Sequence, residues 1–174
     1  MKIWIIVSLV ILLTACGSAN LEQHKDTLPE FRLEHFFNGK LKAYGIVLDR
    51  SGNLLRRFEA DLIAEWKGNK GELKEWFEFD DGEKTTRNWQ LSKSKENNFQ
   101  GRAEDVIGIA EGRSAGSAFY WRYQLKIPVN GDIYDITLDD WMFLIDDKRL
   151  FNKTEMTKFG FKVGEIILYI EKLN

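Results

Sequence analysis

Residues Gly112 to Gly116, GRSAG, fit the pattern G-x-S-x-G that marks the nucleophile elbow of many serine hydrolases. That chemistry needs a histidine base beside the serine and a helix N-terminus whose backbone N–H groups hold the oxyanion. The residues after Ser114, AGSAFYWRYQLKIPV, alternate apolar with polar and are rich in aromatic and β-branched types, so they predict a strand and not a helix. Both histidines, His24 and His35, precede the serine, whereas the hydrolase order places the base after it. Gly112, Ala115 and Gly116 then read as a small-residue loop or bulge between strands, and no catalytic residue is assigned.

Carboxylates are the other candidates for chemistry. TLDDWMFLIDDKR carries Asp139 and Asp140 before an apolar run and Asp146 and Asp147 after it. On a strand, Asp140 and Asp146 share a face but stand about 20 Å apart, beyond the roughly 9.5 Å reach of a glycosidase pair and too far to share a metal. Each pair is expected to mark a strand end, with Asp146 and Asp147 in the turn before Lys148. Glu104-Asp105 or Asp80-Asp81 could converge on one of them across the mouth of a barrel, and an enzyme of that kind would show carboxylates meeting there with perturbed pKa values. Two histidines and a single cysteine, Cys16, leave too few soft ligands for zinc sites or thiol catalysis, so no metal and no cofactor is expected.

Trp66, Phe77, Trp89, Phe119, Trp121, Trp141 and Phe143 could line an apolar ligand pocket, or they could simply fill a core. Arg87, Arg102 and Arg122 could each hold a carboxylate or phosphate head group, or could sit in exposed cross-strand ion pairs. The ligand-binding set read from the sequence is Trp66, Trp89, Phe119, Trp121, Arg122 and Trp141.

The elements that would position these residues are strands. Phe58, Ala60, Leu62, Ala64 and Trp66 alternate with polar residues, and Phe119, Trp121, Tyr123, Leu125 and Ile127 do so with Arg122, Gln124 and Lys126. DRSGN, KGNKG, DDGE and PVNGD are turn chemistry between such runs. About eight to ten strands in one antiparallel meander follow, and closure into a barrel removes exposed edges. The expected fold is all-β: a single antiparallel up-and-down β-barrel, lipocalin-like, with one or two helical turns at its start in PEFRLEHFFNG, where Pro29 suits the first helical position and Asn38-Gly39 the stop.

Composition agrees with one globular domain: 174 residues, 44% hydrophobic and 13% aromatic, with a net charge of −2 that argues against nucleic-acid binding. The first residues, MKIWIIVSLVILLTAC, have a basic start, an apolar run of about eleven residues and a small-residue cleavage site. The run is short beside the about twenty residues of a membrane-spanning helix. It predicts a signal peptide over 1–15. Leu13-Thr14-Ala15-Cys16 resembles the bacterial lipobox, which implies lipidation of Cys16, a lipidated tether over 16–28 and a barrel domain over 29–174. Gly17 after the cysteine implies, by the same resemblance, an outer-membrane lipoprotein facing the periplasm. Acyl chains contribute about 0.8 kcal/mol per buried methylene, so such a tether is effectively permanent.

FFNGKLKAYGIVLDRSGNLLRRF, FEFDDGEKTTRNW, GRAEDVIGIAEGRSAGSAFYWRYQLKIPV and DDWMFLIDDKRLFNKTEMTKFGFKVGE resemble, in order, the blocks of the bacterial lipoprotein family catalogued as domain of unknown function 3833. The resemblance covers the chain from about Phe31 onward and implies a lipid-related role, without transferring any site residue. LEHFFNGKLKAYG also resembles the start of a lipocalin, with Leu41 where that family has a tryptophan. The expected function is therefore a non-enzymatic, membrane-anchored barrel that binds or carries an apolar ligand such as a fatty acid or lipid. The alternative is a structural or interaction lipoprotein with a filled core.

Overall fold

The computed structural model describes residues 20–173 except Glu96 and Asn130, so the signal peptide expected over 1–15 and Cys16 lie outside the described residues. Period-two alternation becomes ten strands: β1 (Gly39–Asp49), β2 (Leu54–Lys67), β3 (Lys70–Phe79), β4 (Lys84–Lys93), β5 (Asn98–Arg102), β6 (Ala110–Ala115), β7 (Ala118–Val129), β8 (Asp132–Leu144), β9 (Arg149–Lys158) and β10 (Phe161–Lys172). Each pairs antiparallel with the next, and β1 pairs with β10, from Leu41 opposite Lys172 to Asp49 opposite Gly164. The result is a closed up-and-down barrel, the lipocalin-like architecture read from the sequence. The turns follow their composition: Gly68-Asn69 joins β2 to β3 with Gly68 at φ 62°, a backbone region that glycine adopts without a steric cost.

One end of the barrel is shut. Helix α1 (Leu33–Phe36) and the residues around it carry Phe31, Phe36 and Phe37 over that end, where they pack edge-to-face with one another and with Phe119. The Phe31 N–H donates to the Gly116 carbonyl at 2.6 Å, and the Trp66 indole N–H donates to the Phe37 carbonyl at 2.9 Å, so the cap is pinned to the β6–β7 turn and to β2. The helix is a single turn that starts at Leu33 and not at Pro29, because the chain is still extended at Arg32.

The spacer expected over 16–28 is described from Asn20 onward, and there it lies against the barrel. Asn20 caps a 3₁₀ turn, Leu21–His24, by accepting from the Glu22 N–H, and Leu21 is buried. His24 packs on Phe143, Thr27 exchanges hydrogen bonds with Ser117, and Glu22 pairs with Arg113 at 2.7 Å. A single apolar residue with polar partners has no periodicity, which is why the docked segment reads as a tether in the sequence. Residues 20–173 thus contain the whole closed barrel and a core of their own, the property of a unit that folds alone.

The wall is not uniform. β5 and β6 are short, and β4 pairs with β5 only over Gln90–Lys93. Beside the remaining length of β4 runs the segment 103–109, tied to β7 by the Val106–Leu125 bridge and by hydrogen bonds from Ile107 N–H to the Gln124 carbonyl and from Lys126 N–H to the Asp105 carbonyl. Between β4 and this segment the wall is bridged by side chains.

Candidate functional site

Inward-facing residues change exposure along every long strand. On β2, Ala64, Leu62 and Ala60 are buried, then Phe58 and Arg56 are half-buried; on β10, Ile170 is buried and Leu168 and Ile166 are not; on β8, Leu138 and Ile136 give way to Tyr134. Near the cap the interior is filled with Phe99, Phe119, Trp121 and Trp89, the pairs Phe99–Phe119 and Trp89–Trp121 edge-to-face and Phe119–Trp121 tilted between them. Toward the other end the same side chains meet solvent. The barrel is therefore cup-like: α1 closes one end, and at the other the inward side chains, among them Phe77, Tyr134, Ile166 and Leu168, are partly exposed and pack against the core.

The floor of the cup is polar. Arg87 on β4 chelates Asp105 of the 103–109 segment with bonds of 2.7 to 3.0 Å and lies 3.9 Å from Glu75 on β3. Glu75 accepts from the Trp89 indole N–H at 3.2 Å and is only 13% exposed. Burial pushes its carboxyl up to about 7, against the opposing pull of Arg87 and Trp89, with Asp105 and Asp140 adding to the rise. Glu75, Arg87 and Asp105 also border a cleft of about 360 Å³ that reaches the outside beside β4, at the place where the wall is bridged by side chains.

A second group adjoins the first through the edge-to-face pair of Trp89 and Tyr123, whose ring centroids are 5.3 Å apart. Asp140 on β8 is buried and accepts from Asn152, from the Thr154 hydroxyl at 2.9 Å and from the Tyr123 hydroxyl at 3.5 Å. Burial raises its carboxyl to about 6, and these donors and Arg87 hold it from rising further. Burial likewise raises the Tyr123 phenol well above its ordinary value, so it remains a donor. Around neutral pH the floor holds one cation, Arg87, against three carboxyl groups, two of which titrate near that pH. Such a floor can hydrogen-bond a neutral head group, and it can give or take a proton.

The residues singled out from sequence divide accordingly. Trp66, Trp89, Phe119 and Trp121 all point inward. Arg122 and Trp141 do not. Arg122 is on the outer face, 59% exposed, and pairs with Asp139 at 2.5 Å; its position follows from the same alternation that turns Trp121 and Tyr123 inward. Trp141 is also outside, against Tyr120 and Phe143, with His24 covering it. Asp139 and Asp140 lie within β8 and not at its end, because the strand runs on to Leu144, while Asp146 accepts from Lys148 and Arg149 in the turn. Arg113, Ser114 and Ala115 belong to β6, with Gly112 beside them in the same strand, so GRSAG is strand and turn with no helix after it. Carboxylates do converge, through Asp140 and Asp105, but the third is Glu75, hidden in the charged run KGELKEWFEF where alternation alone marks it as inward. Among the described residues no three His, Cys, Asp or Glu side chains are placed to hold a metal ion, and no helix is long and apolar enough to cross a membrane.

A family model described as "Protein of unknown function (DUF3833)" matches residues 10–172. No curated protein matches the sequence. Among solved structures, the S-type phycobiliprotein lyase CPES from Guillardia theta is similar with a TM-score of 0.60 at 10% identity, over 83% of this chain and 94% of that one. A protein of unknown function from the DUF3598 family of Nostoc punctiforme is similar with a TM-score of 0.57 at 11% identity, over 84% of this chain and 51% of that one. At such identities the likeness is one of fold.

Proposed function

The chain belongs to the DUF3833 family, and we propose that it is a non-enzymatic lipoprotein of the cell envelope that binds or carries an apolar ligand, such as a fatty acid or other lipid, in the open half of its barrel. The observation that supports this reading is the open end of the barrel, where inward apolar side chains are partly exposed above a floor of buried polar groups. The excess of carboxyl groups over Arg87 selects the head group. A carboxylate would meet Glu75, Asp105 and Asp140 across a low-dielectric floor, so a fatty acid would enter as the neutral acid, and an ester or hydroxyl head is accommodated at any pH.

The anchor completes the proposal. The lipobox around Cys16 would tether the barrel to the outer membrane from its closed end, since the chain reaches the described residues at Asn20 beside the β6–β7 turn. An interaction lipoprotein is the second reading, supported by the aromatic filling of the closed half.

Native mass spectrometry of residues 20–174 purified from a bacterial host, followed by solvent extraction, separates the two. A stoichiometric apolar molecule is expected. A protein that arrives empty and takes up no fluorescent lipid would leave only the interaction reading.

A further inference from the structure

We propose that the open rim of the barrel docks on a phospholipid surface, with the β9–β10 hairpin, Lys158-Phe159-Gly160-Phe161-Lys162, as the inserting element. Phe159 and Phe161 are 90% and 76% exposed, and no fold requirement explains them. The turn in fact argues against one of them. Phe159 and Gly160 both have positive φ, 52° and 82°, the geometry for which Asn-Gly is the usual solution. A bulky aromatic residue in the left-handed region is strained as well as exposed, and a local conflict of this kind points to work outside the fold.

The neighbouring hairpins repeat the feature. In barrel order β2-β1-β10-β9-β8-β7, the β1–β2 turn presents Leu54 and Leu55 and the β7–β8 turn presents Ile133, all more than half exposed. These three tips form one continuous arc around the mouth. The acidic β3–β4 turn adjoins the β1–β2 end of the arc, and its carboxylates are neutralised there: Arg56 binds Asp81 and Glu83, and Arg57 binds Asp80. Within the inserting tip the charges are Lys158, whose ammonium lies over the Tyr134 ring at 3.5 Å, and Lys162, paired with Glu165 at 2.6 Å; both would exchange these contacts for lipid phosphates on docking, their long stems running along apolar surface.

Separate convex tips suit a soft bilayer better than a flat protein partner. They also surround the mouth of the apolar cup, so a ligand could pass between bilayer and barrel without crossing water. If Cys16 is lipidated, only four peptide steps, about 14 Å at full extension, separate the anchor from Asn20 at the closed end. The rim would then face away from the anchoring membrane by about the height of the barrel, roughly 30 Å. The surface it meets is a second one.

The test is co-sedimentation of residues 20–174 with vesicles of phosphatidylglycerol and phosphatidylcholine. The wild type should sediment, more strongly as the phosphatidylglycerol fraction rises. The double substitution Phe159→Asn, Phe161→Ser should lower partitioning at least about tenfold, while thermal unfolding stays at or above the wild-type midpoint because Asn suits the turn. Ile145→Ser, at an exposed position of the closed end, should bind as the wild type does. Absence of wild-type sedimentation, or equal sedimentation of the double variant, overturns the proposal, and so does photo-crosslinking from position 159 to an envelope protein by a chain that ignores vesicles. Sedimentation reads the rim whatever the cup contains, and bound ligand reads the cup, so each proposal can fail without the other.

Discussion

Trp121 is seated on Gly112: its indole ring lies so close over the glycine that a Cβ there would overlap ring carbons, and would stand 2.7 Å from Cζ of Phe119. The facing strand repeats the arrangement, with Gly101 offering a Cβ position 2.7 Å from Cζ2 of the same indole. The glycine that makes GRSAG look like a hydrolase motif is thus a seat for the aromatic filling of the barrel. Gly112→Ala should destabilise the protein by about 1 to 3 kcal/mol through overpacking, read as a lower urea midpoint with an unchanged slope.

Glu75 makes stability fall as pH rises. Its folded carboxyl titrates at about 7 against an ordinary 4.5, so it keeps a proton through the interval in which the unfolded chain has lost it. The stabilisation is complete below about 4.5 and is lost as pH climbs through 7, an effect on the order of 3 kcal/mol. Asp140 adds to it between about 4 and 6. Glu75→Gln should flatten the slope and leave the variant more stable than the wild type at pH 8. Urea unfolding at pH 5, 6, 7 and 8 checks this, and a wild type that gains stability over that range would contradict it.

Arg122→Ala should change stability by no more than about 1 kcal/mol, as expected for an exposed ion pair, and leave ligand occupancy as it was. A loss of bound ligand in native mass spectra would mean that the outer wall takes part in binding after all.

Asp105→Asn weakens the chelate with Arg87 that bridges the wall beside β4. Hydrogen exchange should quicken in peptides covering 84–89 and 103–109 and stay unchanged in β1 and β10, whose backbone pairing is continuous. Uniform quickening across the barrel would show that the ion pair supports the global fold and not this part of the wall.

Leu168 faces the cup from β10, opposite Gly45, where Phe58 covers the glycine. Leu168→Trp should place an indole in the open half, cutting ligand content about tenfold while near-ultraviolet circular dichroism keeps its native form. Undiminished occupancy would place the ligand elsewhere.

What the sequence determined by itself is local and periodic. Alternation at 117–127 is enough to predict β7 and to turn Trp121 and Tyr123 inward; the same parity puts Arg122 outside, against the ligand-binding role read for it beside Trp121, because successive side chains of a strand point to opposite faces. The turn residues between the runs are enough for an antiparallel meander. Which inward residues meet depends on register and closure, which no local window contains. Glu75, Arg87, Asp105 and Asp140 come from three strands and a loop, and they converge only because β1 pairs with β10 and the barrel shuts. The asymmetry of the cup was likewise decided in three dimensions: aromatic rings fill the end where α1 and Phe31 cover them, and the same alternating pattern at the far end is partly exposed because, among the described residues, no segment folds over it.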